Sequence, residues 1–171
     1  EAGPVQCEKA FELVEPGLAQ LRWPGRIEIL GRAPTVVVDA AHNWEAVAAL
    51  LRTLDESFHA RRRILVFAAT RDKDVAGMLR QLLPRFDAVV LTSFQNNPRQ
   101  VAVESLVRLA RELSNQPLHA APDPAAAWKL ARRFAGPEDL ICVTGSFFIA
   151  AELRELIVDA RQAEPSEVVL E

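Results

Sequence analysis

Asp39-Ala40-Ala41-His42-Asn43 places a carboxylate, an imidazole and a carboxamide within five residues, directly after an apolar run. A carboxylate at a strand end can accept hydrogen bonds from sugar hydroxyls. An imidazole in the following turn can stack on a base or donate to a phosphate or carboxylate. The same residues also suit a plain strand–loop–helix connection, with Asn43 as the helix cap. Thr144-Gly145-Ser146 is a second cluster of this kind. Its glycine lets backbone approach a ligand, and N–H groups at a helix start favour an anion; the plain alternative is a turn glycine before a capping serine. Thr70-Arg71-Asp72-Lys73-Asp74 and Asn96-Asn97-Pro98-Arg99 complete the set. Lys73 and Arg99 either offer cations to a charged ligand or sit in exposed loops, the first of them capped by Asp74.

What would position these clusters is an alternation of two kinds of segment. Thr35–Asp39, Ile64–Ala69, Ala88–Thr92 and Leu140–Thr144 are short, β-branched and continuously apolar, the pattern of buried strands. Trp44–Phe58, Asp74–Leu83, Val101–Leu113, Pro124–Phe134 and Phe147–Ala160 carry helical periodicity. Asn43, Asp123-Pro124 and Ser146 stand where helix starts need caps. Ile27–Leu30 and Leu118-His119 add two short strands. Such alternation predicts an α/β fold, a parallel sheet covered on both faces. Ligands bind such sheets beyond the carboxyl ends of the strands, where all four clusters fall.

Composition narrows the function. Half of the 171 residues are hydrophobic and a quarter are charged, enough for a core of ordinary globular type. A net charge of -3 gives no electrostatic footprint for nucleic acid. The dense run Arg61-Arg62-Arg63 is read as a solvated loop in preference to a phosphate site. Cys7 and Cys142 have no metal-ligand spacing; Cys142, inside an apolar run, is expected to be a buried free thiol suited to a reducing cytosol. No run reaches membrane-span length. The sequence contains no GxxxxGK[ST] phosphate loop, no GxGxxG fingerprint, no zinc motif and no hydrolase elbow. A parallel α/β domain with polar strand ends but no phosphate loop has the look of half an active site. The absence of an initiator Met fits a fragment or processed chain.

Five segments in order then resemble the C-terminal domain of folylpolyglutamate synthase / dihydrofolate synthase, a branch of the Mur ligase superfamily. They are Trp23-Pro24-Gly25-Arg26-Ile27-Glu28, Asp39–Asn43, Arg71–Asp74, Pro98-Arg99 and Thr144–Phe148. The resemblance runs from residue 8 to about residue 158. Ala40, Trp44 and Phe148 depart from the usual Gly, Pro and Tyr. The resemblance implies a Rossmann-like, mainly parallel six-stranded sheet flanked by helices. It implies residues 1–25 as the end of a preceding ATP-binding central domain with its linker, 26–160 as the C-terminal domain, and 161–171 as a tail. The implied reaction is ATP-dependent ligation of L-glutamate to a folate or dihydropteroate through an acyl phosphate. ATP and magnesium would be held mainly by the central domain, so the fragment alone is expected to be inactive.

By the same resemblance, Arg26 and His42 are the expected catalytic residues. Arg26, Asp39, His42 and Asn43 would contact nucleotide; Ser146, Lys73 and Arg99 would contact substrate; no metal ligand is expected here. The implied setting is a cytoplasmic monomer that meets neither nucleic acid nor membrane. Another Mur-type ligase acting on a muramyl peptide, or a non-catalytic nucleotide- or partner-binding module, stands as the alternative.

Overall fold

The computed structural model describes residues 23–95 and 97–163. The helix expected over Glu8–Gln20, the terminal strand expected over Val168–Leu170, Cys7 and Asn96 lie outside the described residues. Chain order runs β1 (Glu28–Arg32), β2 (Thr35–Val38), α1 (Trp44–Ser57), β3 (Arg63–Phe67), α2 (Val75–Leu82), a 3-10 turn (Leu83–Arg85) and β4 (Ala88–Leu91). It continues through α3 (Val103–Leu113), β5 (Leu118–Ala120), α4 (Pro124–Phe134), β6 (Leu140–Thr144) and α5 (Phe147–Ala163). The six strands form one sheet in the order β1-β2-β6-β3-β4-β5. All pairs are parallel except β1 with β2, an antiparallel pair whose register shifts between Ile29 and Gly31. This is the Rossmann-like, mainly parallel sheet the sequence led us to expect.

Side chains alternate across the strands, so the sheet has two apolar faces. Val37, Leu65, Phe67, Val89, Leu91 and Cys142 pack on one face against α1, α2 and α3, through residues such as Leu50, Leu54, Leu79 and Leu106. Val36, Val38, Ile64, Val66, Val90, Ile141 and Val143 pack on the other against α4 and α5, through Ala127, Ala131, Ile149 and Leu153. In α1 the buried positions Val47, Leu50, Leu51 and Leu54 recur at helical spacing, which makes one stripe face the sheet. β6 is buried along its whole length because β2 and β3 flank it and helices cover both its faces. Burial also pushes the Cys142 thiol far above its ordinary range, leaving it an inert core residue.

Helix starts are set by short polar side chains. Asn43 accepts from the Ala46 N–H at 2.8 Å, Asp74 from Gly77 at 2.8 Å and Asp123 from Ala126 at 2.7 Å. Element ends agree with the sequence reading to within two residues, except that α5 runs on from the expected Ala160 to Ala163. α3 begins at Val103 rather than Val101 because the Val101 N–H donates to the Ala69 carbonyl and Gln100 bridges Thr70, which keeps that stretch extended. α2 stops at Leu82 because Pro84 forces the next turn into 3-10 geometry.

Candidate functional site

The four polar clusters line one edge of the sheet, at the carboxyl ends of β2, β6, β3 and β4. They are neighbours because β6 is inserted between β2 and β3. The Gly145 N–H donates to the Ala41 carbonyl at 3.0 Å, which binds the turn after β6 to the turn after β2. Gly145 has φ +113°, and a Cβ there would meet the Ala68 carbonyl oxygen at 2.5 Å and the Phe67 ring at 2.6 Å. Only glycine fits where three strand ends converge so closely.

A pocket of about 200 Å³ opens at the β2 end of this edge, walled by Gly25, Arg26, Asp39, His42, Phe147 and the Ala46–Thr53 face of α1. Asp39 is 8% exposed, and both its oxygens take backbone donors: Oδ2 from Ile27 at 2.9 Å and Oδ1 from Ala41 at 2.8 Å. It therefore shapes the floor, pinning the turn before β1 against the end of β2. The His42 ring is half-buried; Nδ1 lies 3.0 Å from the Ala40 carbonyl oxygen. Its ring centroid stands 4.8 Å from that of Phe147, which is 55% exposed. This pair forms an aromatic wall of the kind a planar ring can stack on. The exposed Arg26 guanidinium lies 5.7 Å from the Trp23 ring centroid and pairs with no carboxylate among the described residues.

Lys73 and Arg99 stand farther along the edge. Their loops are sewn together: the Arg71 N–H donates to the Arg99 carbonyl at 2.8 Å, and the Arg71 guanidinium donates to the carbonyls of Pro98 and Gln100. Lys73 lies 3.3 Å from its neighbour Asp72. Asp72 sits below the ordinary carboxylate range, first because of the Thr70 side-chain hydrogen bond. The Arg99 guanidinium rests 5.6 Å from the Phe148 ring centroid and, like Arg26, meets no carboxylate among the described residues. Ser146 is 2% exposed, and its Oγ accepts from Ile149 at 3.2 Å, capping α5. Asn43 is likewise engaged as the α1 cap.

The expected residues thus fall into two groups on one edge. Arg26, Asp39 and His42 share the pocket, with Asn43 at its outer side. Ser146, Lys73 and Arg99 lie along β6, β3 and β4. Three contributors had no role in the sequence reading: Phe147, which walls the pocket, and Glu28 and Arg154, which brace its floor. Glu28 was visible in the Trp-Pro-Gly-Arg-Ile-Glu segment, but no local signal marks Arg154, 126 residues later. No helix of the described residues is long and apolar enough to cross a membrane. The described residues also contain no group of three or more His, Cys, Asp or Glu able to hold a metal.

Residues 25–147 match the family model described as Mur ligase, glutamate ligase domain. The chain is 37% identical over 143 residues to a probable bifunctional folylpolyglutamate synthase/dihydropteroate synthase of Haloferax volcanii, a match covering 84% of this chain and 17% of that protein. It is 31% identical over 144 residues to the dihydrofolate synthase/folylpolyglutamate synthase of Bacillus subtilis, covering 84% of this chain and 33% of that one. Its fold is similar to Mycobacterium tuberculosis folylpolyglutamate synthase solved in complex with ADP, with a TM-score of 0.79 and 34% identity. That superposition covers 85% of this chain and 35% of the solved one. The chain therefore spans a third or less of the length of these two curated relatives.

Proposed function

Because the chain belongs to the Mur ligase glutamate ligase domain family, we propose that it is the closing domain of an ATP-dependent ligase joining L-glutamate to a folate or dihydropteroate. The observation that carries this reading is the run of ligand-ready groups along one sheet edge, where the guanidiniums of Arg26 and Arg99 meet no carboxylate among the described residues. In this reading residues 1–25 end a preceding ATP-binding domain and 26–160 form the closing domain, whose last helix α5 continues to Ala163 into the 161–171 tail. The pocket suits part of a nucleotide: at about 200 Å³ it is smaller than the roughly 300–1,000 Å³ of a complete ligand site, so a second domain must supply the other wall. The Mycobacterium tuberculosis relative was solved with ADP, which supports a nucleotide as a ligand of the ligase to which this domain would belong. Magnesium is assigned to the preceding domain.

ATP, when bound, supplies the phosphoryl group that activates the acceptor carboxylate. Arg26 reaches the phosphates and offsets charge that develops on the group in transfer. His42 and Phe147 present a face for stacking, and Asp39 and Asn43 hold the turns that carry them, near the ribose. Arg99 and Lys73 take the carboxylates of incoming glutamate, with Ser146 at the α5 start beside them. Closure of the domain aligns these groups and excludes water. The same reading describes a cytoplasmic monomer without nucleic-acid or membrane partners.

The test follows phosphate release by the full-length polypeptide with magnesium, ATP and L-glutamate, offering dihydropteroate, a reduced folate or a muramyl peptide precursor in turn. Release that requires both a pterin acceptor and glutamate is expected. Release only with the muramyl precursor moves the protein to the cell-wall branch, and no release with any acceptor favours a non-catalytic module. Residues 1–171 alone are expected to bind nucleotide weakly or undetectably.

A further inference from the structure

The turn that carries Arg26 is bent in an unfavourable way. Gly25 has φ +71° and Ile27 has φ +45°, so two residues flanking Arg26 occupy the left-handed region. For the β-branched Ile27 that conformation is disfavoured and persists only where surrounding contacts enforce it. Four hydrogen bonds do so. Ala40 donates to the Gly25 carbonyl at 2.7 Å, and Arg26 donates to the Trp23 carbonyl at 3.1 Å. Ile27 donates to Asp39 Oδ2 at 2.9 Å, and Gly25 donates to Glu28 Oε2 at 2.9 Å.

Glu28 is itself held from outside the turn. Arg154 Nε, on α5, donates to both Glu28 oxygens at 2.9 Å. An exposed ion pair by itself contributes little. Here the Glu28 side chain is 19% exposed, and its carboxylate serves two masters, the guanidinium and the Gly25 N–H. The first turn of α5 also carries Phe147, the aromatic wall of the pocket. One helix therefore braces the floor and lines the wall.

We propose that Glu28 and Arg154 are positioning residues that fix the strained Gly25–Ile27 turn and so aim Arg26 into the pocket. The importance of that aim rests on the ligase reading above, whereas the bracing itself does not. Neither residue lines the pocket. The pair acts through the turn.

Two measurements separate these points. In residues 1–171, amide exchange is followed by NMR at Gly25 and Ile27, with Val90 in the core as control. Glu28→Gln and Arg154→Gln are expected to speed Gly25 exchange about tenfold and leave Val90 unchanged, as loss of a charge-assisted hydrogen bond implies. Arg154→Lys keeps the charge and is expected to fall between, and it decides the matter if the Gln variants do not fold. The charge swap E28R/R154E is the sharper variant. It can restore the ion pair and the melting temperature, but an arginine at position 28 cannot accept the Gly25 N–H, so fast exchange should remain. Unchanged Gly25 exchange in the single variants, or a swap that restores slow exchange, overturns the bracing. In the full-length polypeptide, Arg154→Gln is expected to lower kcat about tenfold with the KM for glutamate unchanged, the pattern of a misaligned transition-state group. A normal kcat alongside fast Gly25 exchange overturns the link to Arg26. A wild-type polypeptide with no release on any acceptor sinks the ligase reading instead, and the exchange data still decide the bracing.

Discussion

Among the described residues, Arg62, Arg63 and Arg85 at the amino end of the strands are tied to carboxylates, whereas Arg26 and Arg99 at the carboxyl end are not. Arg62 donates to Asp139 at 2.7 Å, and Arg63 and Arg85 both bond Asp55. Arg26 and Arg99 instead lie over Trp23 and Phe148. Two carboxylates repeat the contrast. Burial pushes Asp139 upward, but bonds from Arg62 and the Gly136 N–H outweigh it, and its pKa falls below the ordinary value. Glu152, beneath the loop after β4, is raised chiefly by burial; the Gln95 N–H bonds to both its oxygens only partly offset that. These three amino-edge arginines are thus satisfied within the chain. Among the described residues Arg26 and Arg99 keep charge without a carboxylate, and the turn of Arg26 keeps backbone strain, both of which a ligand or a second domain can use. The difference teaches that these arginines are to be read by their partners, since residue type is the same at both edges.

The largest effect tests how far the carboxyl edge is structurally fixed. Gly145→Val places a branched side chain against Ala68 and Phe67 at φ +113° and should destabilise the fold by about 3 kcal/mol or more, read by urea unfolding. Arg26→Ala comes next. It should cost on the order of 100-fold in kcat of the full-length polypeptide, in line with loss of one preorganised electrostatic contact, with urea stability unchanged. A parallel loss of stability would place Arg26 with the structural arginines of the other edge. Arg99→Ala should raise the KM for glutamate about tenfold with little change in kcat, the signature of lost ground-state binding.

Smaller effects concern pH. Asp139, with its lowered pKa, contributes stability that is present above the unfolded Asp value near 3.8 and lost as pH falls through the folded value. Asp139→Asn should cost about 1–2 kcal/mol at pH 7 and flatten the acid limb of the urea midpoint. Glu152 works in the opposite sense. Its raised pKa means the folded state holds the proton more tightly, so stability declines as pH rises from the unfolded Glu value near 4.5 through the folded one. Glu152→Gln should remove that slight slope. Equal slopes of one sign at the two edges would break the comparison.

Much of the site was legible because its residues sit in short connections that local chemistry shapes. Asn43, Asp123 and Ser146 were expected as caps, and each side-chain oxygen accepts the N–H three residues on. The Arg61–Arg63 run reads differently in three dimensions. Arg62 clasps the buried Asp139 and Arg63 begins β3 with its guanidinium on Asp55 and the Leu54 carbonyl, so two of the three are not merely solvated. No local pattern could reveal partners 77 and 8 residues away.

The sequence by itself determined the strand–helix alternation, the two-faced sheet and the order of the polar clusters. Each of these follows from periodicity and capping within about a dozen residues. Only the tertiary structure decided that β6 returns between β2 and β3. That insertion sets Gly145 against Ala41, Phe147 against His42 and Arg154 against Glu28. Such contacts join residues more than a hundred positions apart. They are selected by the packing of the whole sheet, which no short stretch of sequence encodes.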